Sequence, residues 1–358
     1  MVRWQKLSIK DIRKETADCV SISFDVPENL KPLYEFKQGQ NLTLRIKLNG
    51  EELRRSYSIC SSPLDNELRI AVKKVVQGRF SSQANLMFRT GETIEVLPPT
   101  GKFYTELQSA HKKKYLAFAA GSGITPILSL IKTTLATELK SAFTLVYGNR
   151  NRNSIIFKEQ LEALKNKYID RFTIHHILSR EKTDASINHG RIDAEKCEQL
   201  KKLVDFKSMD ELFLCGPEEM IFSVRDWLYR EGVDHKKIHF ELFTTPGLKS
   251  EVIRQKAEEI EDIGPRSTVS IKLDGILFDF ELSKSGKSIL DGALHQGADL
   301  PYACKGGVCS TCRAKLISGE VTMDNNYALE SDELARGFIL TCQSHPVTDK
   351  VVIDFDLK

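Results

Sequence analysis

Three cysteines lie close together between Pro301 and Arg313, and a fourth follows in the segment TCQSHP. They are Cys304, Cys309 and Cys312, in the spacing C-x4-C-x2-C, and the more distant Cys342. The residues between the first two cysteines include Gly306 and Gly307, which lack a Cβ and can take positive φ, so the chain can turn tightly there. This arrangement predicts that the C-terminal part of the chain folds around a metal centre, because thiolates bind soft metal ions.

The cysteine spacing is that of thiolate ligands to a [2Fe–2S] cluster. Backbone N–H groups of the glycine-containing loop are then expected to point at the sulfides and stabilise their charge. A structural zinc site and unligated buried thiols are the alternatives. Zinc sites usually show paired C-x2-C modules or histidine ligands, whereas this segment has one C-x2-C and no histidine within the loop. We therefore predict that the four cysteines hold a [2Fe–2S] cluster.

The length of 358 residues predicts two or three domains. No run of 18 apolar residues exists, and MVRWQKLSIKDIRK lacks the apolar segment of a signal peptide, so we expect a cytoplasmic protein. The net charge of +3 is too small to indicate a nucleic-acid or membrane partner. The other cysteines are scattered and are expected to be free thiols in a reducing compartment: Cys19, Cys60, Cys197 and Cys215.

Residues 1–107 show the alternation of β-strands. Apolar residues recur at every second position in Asp18–Val26 and Asn41–Leu48, and further strands are predicted at residues 53–60, 67–76 and 92–97. One short helix is predicted at residues 81–88. Several short strands separated by turn residues predict a closed antiparallel barrel.

Two motifs on this predicted barrel suit a nucleotide with a flat ring. Arg55 and Tyr57 of the motif R-x-Y-S share one face of a strand, and Ser58 points to the other. Arginine can bind a diphosphate in bidentate fashion, and tyrosine can lie along a ring. Gly78, followed by Ser81 and Ser82, opens a helix whose N-terminal amides and hydroxyls could take phosphate oxygens. An exposed strand with a charge would look alike, so the motifs gain weight only from the next domain.

Residues 112–243 alternate between apolar strands and helices. Strands are predicted at residues 115–120, 143–147, 172–178, 212–215 and 238–243, with helices at residues 154–166, 193–204 and 218–231 and one after Pro126. This alternation predicts an α/β domain with a doubly wound parallel sheet and ligands at the carboxyl ends of its strands.

The loop G-S-G-I-T-P after the first of these strands departs from the dinucleotide fingerprint, because Pro126 stands where the third glycine would be. Arginines follow the next two strands: Arg150 and Arg152 after the second, and Ser179-Arg180 after the third. An NAD-selective site would offer an acid to the ribose hydroxyl at this edge. Three arginines at neighbouring strand ends instead predict recognition of a 2′-phosphate, and hence NADPH.

Taken together, these motifs and Leu214-Cys215-Gly216-Pro217 resemble the ferredoxin–NADP reductase superfamily across residues 1–243. Residues 266–358 resemble a plant-type ferredoxin domain, whose fold is an α+β β-grasp. The order of modules resembles the reductase components of bacterial oxygenases, and among them those of the phenylacetyl-coenzyme A epoxidases. The resemblance implies an FAD-binding barrel at residues 1–111, an NADPH-binding domain at 112–243 and a [2Fe–2S] domain at 266–358. The charged residues at 244–265, between Pro-Gly and Gly-Pro, predict a solvated, partly helical linker.

The resemblance also implies roles for individual residues. Arg55 would neutralise the flavin diphosphate, Tyr57 would stack on the flavin ring, and Ser58 would hydrogen-bond near its reactive nitrogen. In the family the Thr of G-x-G-x-T-P and the Cys of C-G-P, here Thr125 and Cys215, flank the nicotinamide. Glu241 and Phe243 fall where the family closes over the flavin edge. Together with the residues predicted above from the sequence, the complete set of site residues is Arg55, Tyr57, Ser58, Gly78, Ser81, Ser82, Gly121, Gly123, Thr125, Pro126, Arg150, Arg152, Ser179, Arg180, Cys215, Gly216, Pro217 and Glu241. Of these, Ser58, Thr125, Cys215 and Glu241 are predicted to be catalytic.

The implied function is electron transfer from NADPH through FAD and the [2Fe–2S] cluster to an oxygenase, in phenylacetate degradation. A flavin is needed because the nicotinamide gives two electrons together and the cluster accepts one at a time. FMN is the alternative flavin. Reductases of ring-hydroxylating, steroid or alkyl hydroxylases are the alternative function within the enzyme class. A redox-sensing iron–sulfur flavoprotein is the alternative from another class.

Overall fold

The computed structural model describes residues 4–243 and 264–357. These divide into two compact units, one with residues 4–53 and 57–243 and one with residues 54–56 and 264–357. Most of the predicted linker at residues 244–265 lies outside the described residues.

Six strands form the predicted antiparallel barrel. They are β1 (Gln5–Thr16), β2 (Cys19–Asp25), β3 (Asn41–Leu48), β4 (Glu51–Ser58), β5 (Leu68–Lys73) and β6 (Thr93–Val96), in the order β4-β3-β6-β1-β2-β5. An antiparallel bridge between Ile59, just after β4, and Ile70 of β5 joins the two edges of this sheet. The predicted helix is α1 (Arg79–Leu86), which begins two residues earlier than expected.

The sequence pattern did not predict β1, the longest strand of the barrel. Its pairing with β2 is interrupted by register shifts between Ile9 and Asp11 and between Lys14 and Thr16. Each shift inserts a residue and moves the following side chains to the other face. Alternation is lost for that reason, although Leu7 and Ile9 are buried in the barrel core.

Five parallel strands form the second sheet, as predicted. They are β7 (Lys114–Ala120), β8 (Ala142–Asn149), β9 (Phe172–Leu178), β10 (Glu211–Gly216) and β11 (Ile238–Leu242), in the order β11-β10-β7-β8-β9. The helices are α2 (Ile124–Thr137), α3 (Lys158–Lys167), α4 (Ala194–Leu200) and α5 (Glu218–Arg230). The strand order reverses between β7 and β10, and parallel sheets bind ligands at the carboxyl ends of strands at such a point.

Helix α3 begins four residues later than the sequence predicted. A short 3-10 turn at Arg152–Ser154 comes first, with Asn151 accepting the Ser154 N–H as its cap. Phe157 then takes a left-handed conformation with φ +60° before the helix starts. Helix α4 also ends at Leu200 rather than at the predicted residue 204.

Polar contacts hold α2 against the barrel. The Ser129 hydroxyl donates to the Ser61 carbonyl at 2.6 Å, and the Ser62 and Thr133 hydroxyls lie 2.9 Å apart. All four side chains are buried, so water does not compete for these bonds. The end of β4, just before Ser61, is therefore fixed relative to the parallel sheet.

The C-terminal unit has a mixed sheet with two short helices, an α+β fold. The strands are β12 (Arg266–Leu273), β13 (Ile276–Ser283), β14 (Arg313–Ser318), β15 (Val321–Met323), β16 (Phe338–Leu340), β17 (Ser344–Pro346) and β18 (Lys350–Asp354). The main sheet has the order β13-β12-β18-β14-β16, and β15 pairs with β17. Helices α6 (Ile289–His295) and α7 (Ser331–Ala335) accompany them. The unit begins with an antiparallel pair, in which all eight residues of β12 are in register with β13.

Gly39 should be more sensitive to substitution than Gly50, although both have φ +83°. A Cβ at Gly39 would lie 1.9 Å from the Phe103 carbonyl oxygen, whereas a Cβ at Gly50 would have no atom within 4 Å. We expect Gly50→Ala to cost about 1–3 kcal/mol through left-handed strain, and Gly39→Ala to cost distinctly more. Calorimetry should show midpoints falling by roughly 2–4 °C per kcal/mol. Equal midpoints for the two variants would contradict the predicted clash.

Candidate functional site

Three of the predicted catalytic residues meet at the ends of β4, β10 and β11. Cys215 and Glu241 are register partners on the parallel strands β10 and β11. Ser58 ends β4, and its hydroxyl donates to Glu241 Oε2 at 2.9 Å. The barrel and the parallel sheet therefore contribute to one site at the point where the strand order reverses.

The surroundings of Glu241 and Cys215 keep both in their neutral forms more readily than water would. Burial raises the pKa of Glu241 from 4.5 to about 7, and the hydrogen bond from Ser58 opposes this rise. Burial, with a smaller contribution from the Glu241 charge, raises the pKa of Cys215 well above its usual value. The Cys215 thiol is therefore neutral at physiological pH, while the Glu241 carboxyl can gain or lose a proton there.

The glycine-rich loop packs directly on the end of β10. Gly121–Gly123 form a 3-10 turn after β7, and Gly121 has φ +53°. A Cβ at Gly123 would lie 2.1 Å from the Cys215 carbonyl oxygen, so a larger residue would push the two strand ends apart. Thr125 is buried, and its hydroxyl donates to the Ser122 carbonyl at 3.0 Å. Pro126 is the third residue of α2, in the first turn as predicted.

The segment Cys-Gly-Pro after β10 is equally close-packed. A Cβ at Gly216 would lie 2.7 Å from Met220 Cε and 3.2 Å from Ala120 Cβ. Pro217 then occupies the N-cap position of α5, without a side-chain capping bond. Because Gly123 and Gly216 carry no side chains, the glycine-rich loop and the first turn of α5 can pack closely at the end of β10.

The predicted flavin strand includes an aromatic neighbour that the sequence did not reveal. Tyr57 lies with its ring centroid 5.4 Å from that of the buried Phe80, at an angle of 41°. Arg55 is two residues earlier on β4, and its guanidinium donates to the Arg54 carbonyl at 2.7 Å. Phe80 lies in the segment Gly78-Arg79-Phe80, where its sequence position alone does not show which ring it supports.

The hydroxyl of Ser81 takes part in building the turn before α1. It accepts the Val75 N–H at 3.1 Å and donates to the Gly78 carbonyl at 3.2 Å. A Cβ at Gly78 would lie 2.4 Å from this hydroxyl. The Ser82 N–H makes the first helical bond to the Gly78 carbonyl, and its side chain is partly exposed. Phosphate binding by Gly78, Ser81 and Ser82 remains a prediction.

The three predicted arginines follow two strands whose ends are hydrogen-bonded together. Ser179 N–H donates to the Asn149 carbonyl at 2.9 Å, and Arg180 N–H donates to the Arg150 carbonyl at 2.8 Å. Arg150, Arg152 and Arg180 are exposed. The structure thus brings the ends of β8 and β9 together at one edge, where a dinucleotide could reach them.

Glu181 is an acidic residue at this edge that the sequence analysis missed. Its carboxylate accepts the Arg152 N–H at 2.8 Å and lies 3.3 Å from Arg152 Nε. The pair is 29 residues apart in sequence, so its proximity depends on the pairing of β8 with β9. Glu181 offsets part of the positive charge that was expected to select a 2′-phosphate.

The four cysteines of the C-terminal unit converge in its loop. The Cys309 thiol donates to Cys304 Sγ at 3.1 Å, and this bond lowers the pKa of Cys304 well below its usual value. Contacts of the Cys342 thiol with Cys304, and to a lesser extent with Cys312, raise the pKa of Cys342. Gly306 N–H donates to Cys304 Sγ at 3.3 Å. Four converging thiols with a backbone donor to sulfur fit the ligand set of a [2Fe–2S] cluster.

Two residues of the cluster loop have left-handed backbone, but they are not the pair of glycines expected from the sequence. Gly307 has φ +74°, and a Cβ there would lie 2.7 Å from the Asn325 carbonyl oxygen. The other is Lys305, with φ +52°, rather than Gly306. Gly306 contributes its N–H to the Cys304 sulfur instead.

Three family models match the chain in the order of its domains. They are described as an oxidoreductase FAD-binding domain at residues 6–104, an oxidoreductase NAD-binding domain at 118–226 and a 2Fe-2S iron-sulfur cluster binding domain at 271–347. The chain is therefore an oxidoreductase that combines a flavin, a nicotinamide and an iron–sulfur domain.

The chain is 46% identical to a subunit of the 1,2-phenylacetyl-CoA epoxidase of Escherichia coli (strain K12), over 100% of this chain and 99% of that protein. It is 34% identical to the ferredoxin reductase component of 3-ketosteroid-9-alpha-monooxygenase of Rhodococcus rhodochrous, over 98% and 96% of the two chains. The solved structure of phthalate dioxygenase reductase has the same fold, with a TM-score of 0.58, 24% identity and 98% coverage of each chain. The chain belongs to the family of reductase components of multicomponent oxygenases.

Among the helices within residues 4–243 and 264–357, none has the length and apolar character needed to cross a membrane.

Ionisation of Glu241 should produce a pH-dependent step in flavin reduction by NADPH. The carboxyl is protonated below about pH 7 and ionised above it. We expect the stopped-flow rate of flavin reduction to change across pH 7 in the native protein, and Glu241→Gln to remove that transition. Because the hydrogen bond from Ser58 lowers the pKa, Ser58→Ala should move the transition to higher pH. The exposed Glu159 serves as a control, and Glu159→Gln should retain the native profile.

The raised pKa of Glu241 also predicts how the free energy of unfolding depends on pH. A carboxyl whose pKa is higher in the folded protein stabilises it fully below pH 4.5, and that contribution is lost as the pH rises through about 7. Between pH 4.5 and about 7, the free energy of unfolding of the native protein should therefore fall by at most about 3 kcal/mol relative to that of Glu241→Gln. Denaturant unfolding at several pH values measures this difference. A difference that does not depend on pH would contradict the raised pKa.

Replacing Arg180 and Glu181 should change the nicotinamide preference in opposite directions. Arg180→Ala should raise the KM for NADPH about tenfold more than that for NADH, because a charge-assisted bond to phosphate is lost. Glu181→Gln should lower the KM for NADPH, since Arg152 is no longer neutralised. Arg230, exposed at the far end of α5, is the control, and Arg230→Ala should leave both values unchanged. Equal effects on the two cofactors would show that these side chains do not read the phosphate.

Proposed function

We propose that this chain passes electrons from NADPH through FAD and the [2Fe–2S] cluster to the oxygenase component of a phenylacetyl-CoA epoxidase. The identity of 46% to a component of such an epoxidase, over nearly the whole of both chains, supports the choice of acceptor. The meeting of Ser58, Cys215 and Glu241 at one site is the observation that supports hydride transfer.

Bound flavin supplies the conversion between the two electrons of a nicotinamide and the single electrons that an iron–sulfur cluster accepts. The chain itself supplies a protonatable group beside that position. Glu241 has a pKa of about 7, so its carboxyl can hold a proton or release it near neutral pH. Ser58 donates to Glu241 Oε2 and so sets the direction in which the carboxyl points.

The remaining residues of the site shape it. Cys215 is completely buried, and its thiol is neutral, so it places no charge beside the site. Thr125 donates to the Ser122 carbonyl, which stabilises the turn of the glycine-rich loop before α2. We assign these two residues to positioning the nicotinamide and excluding water. Gly121, Gly123, Pro126, Gly216 and Pro217 allow the backbone to come close to it.

At the ribose edge we propose a preference for NADPH that is moderate rather than strict. Arg150 and Arg180 lie on adjacent strand ends, and charge-assisted bonds from them to a 2′-phosphate would favour NADPH. The Arg152–Glu181 pair contributes little net charge, and the Glu181 carboxylate could accept a bond from the ribose hydroxyl of NADH.

A reducing compartment, and hence the cytoplasm, is part of the proposal. Outside the cluster loop the chain buries four cysteines as free thiols: Cys19, Cys60, Cys197 and Cys215. Burial raises the pKa of Cys197 to about 12, so this thiol is an unreactive core residue.

A comparison of acceptors tests the choice of oxygenase. The purified reductase should support NADPH-dependent turnover by the oxygenase component of a phenylacetyl-CoA epoxidase. A 3-ketosteroid 9α-hydroxylase is the matched alternative, because a reductase of that system is 34% identical to this chain. Faster turnover with the steroid hydroxylase would reassign the acceptor, and turnover with neither would contradict the proposed function.

The path of electrons can be tested with Cys309→Ser. The nicotinamide and flavin residues all precede residue 244, so NADPH-dependent reduction of ferricyanide should be nearly unchanged. Turnover of the oxygenase should fall to background, because its electrons pass through the cluster. Cys197→Ser, which alters a buried thiol in α4, is the control and should support normal turnover. Full oxygenase turnover by Cys309→Ser would rule out the cluster as the exit.

A further inference from the structure

The side chain of Gln343 links two separate parts of the cluster loop. Gln343 follows the last cysteine, Cys342, and is only 7% exposed. Its Nε2 donates to the Lys305 carbonyl at 3.0 Å and to the Cys342 carbonyl at 2.9 Å. The same nitrogen lies 3.8 Å from Cys342 Sγ. One buried amide therefore contacts the backbone beside the first cysteine and the backbone of the last.

The bond to Lys305 controls the direction of a donor to sulfur. The Lys305 carbonyl and the Gly306 N–H belong to one planar trans peptide, so they point in opposite directions. Gln343 holds the carbonyl end, and the Gly306 N–H at the other end donates to Cys304 Sγ at 3.3 Å. Rotation of this peptide would break both bonds together.

The orientation of this peptide needs support, because Lys305 has φ +52°. A left-handed conformation costs a residue with a side chain about 1–3 kcal/mol, and it persists only where surrounding contacts hold it. The bond from Gln343 is such a contact. Gly307 follows with φ +74° and has Gln343 Cγ 3.1 Å from the position of a Cβ, so the loop packs closely around this side chain.

Asn325 fixes which way the Gln343 amide faces. Its Nδ2 donates to Gln343 Oε1 at 3.1 Å, which leaves the Gln343 nitrogen directed at the two carbonyls. The Asp324 N–H also donates to the Gln343 carbonyl at 2.9 Å. The side chain is thus held at both its oxygen and its nitrogen.

We propose that Gln343 is a positioning residue that raises the reduction potential of the [2Fe–2S] cluster by orienting the Lys305–Gly306 peptide towards Cys304. Reduction adds negative charge to the cluster and its thiolates. Hydrogen bonds to the sulfurs stabilise that charge and so raise the potential. The inference concerns the cluster alone, so its test does not depend on the acceptor proposed above.

Redox titration of the full-length holoprotein, followed by the EPR signal of the reduced cluster, tests this role. Gln343→Met removes the amide and keeps a side chain of similar length. We expect it to shift the equilibrium towards the oxidised cluster about tenfold, which is about 59 mV for a one-electron couple. Gln296→Met, at an exposed glutamine that follows α6, is the matched control and should leave the potential unchanged.

Asn325→Ala provides a second, independent arm. It should shift the potential in the same direction by a smaller amount, and it should have no further effect in the Gln343→Met background. If Gln343→Met does not retain two irons and two sulfides, Asn325→Ala alone decides: a lowered potential supports the role and an unchanged one overturns it. If Gln343→Met keeps an intact cluster with an unchanged potential, the proposed role is also overturned. This holds even if thermal stability falls, because a purely structural residue would lower stability without changing the potential.

Discussion

The hydrogen bond from Ser58 to Glu241 joins two sheets that the chain builds separately, and the candidate active site depends on it. Ser58 ends a strand of the antiparallel barrel, while Glu241 lies on the edge strand of the parallel sheet. Their 2.9 Å separation requires the two sheets to be held in one position. The buried contacts of α2 with Ser61 and Ser62 provide that constraint close to the site. The same bond moderates the pKa of a carboxyl that burial raises to about 7.

Features of the site that are local in sequence could be predicted from the sequence. The spacing of the four cysteines predicted the iron–sulfur domain, and alternation predicted β2 and β3. The alternating strands and helices predicted the parallel sheet of the second domain. The family matches support these domain types. Each of these patterns arises within one or two neighbouring elements. Strand β1 was missed because bulges interrupt its alternation. Local patterning is therefore informative only where the pairing is regular.

What the sequence could not reveal depends on contacts between distant segments. Glu181 looked like an ordinary surface residue, and only the pairing of β8 with β9 brings it to Arg152. In the cluster loop the glycines were expected to take the left-handed positions, but Lys305 takes one of them. A distant contact explains how it can: Gln343, 38 residues further along the chain, holds the Lys305 carbonyl. Composition and spacing do not record such support.

The order of strands in the parallel sheet has a consequence for how the first unit is made. Strand β7 lies between β8, which follows it directly, and β10, which begins at residue 211. Pairings over long sequence separations form slowly, because a large loop must close before they contribute stability. During synthesis the barrel and the first part of the parallel sheet emerge well before β10 and β11. The packing of Gly123 on Cys215 and the bond from Ser58 to Glu241 are therefore completed only after residue 242 has left the ribosome, so the candidate site is a late product of folding.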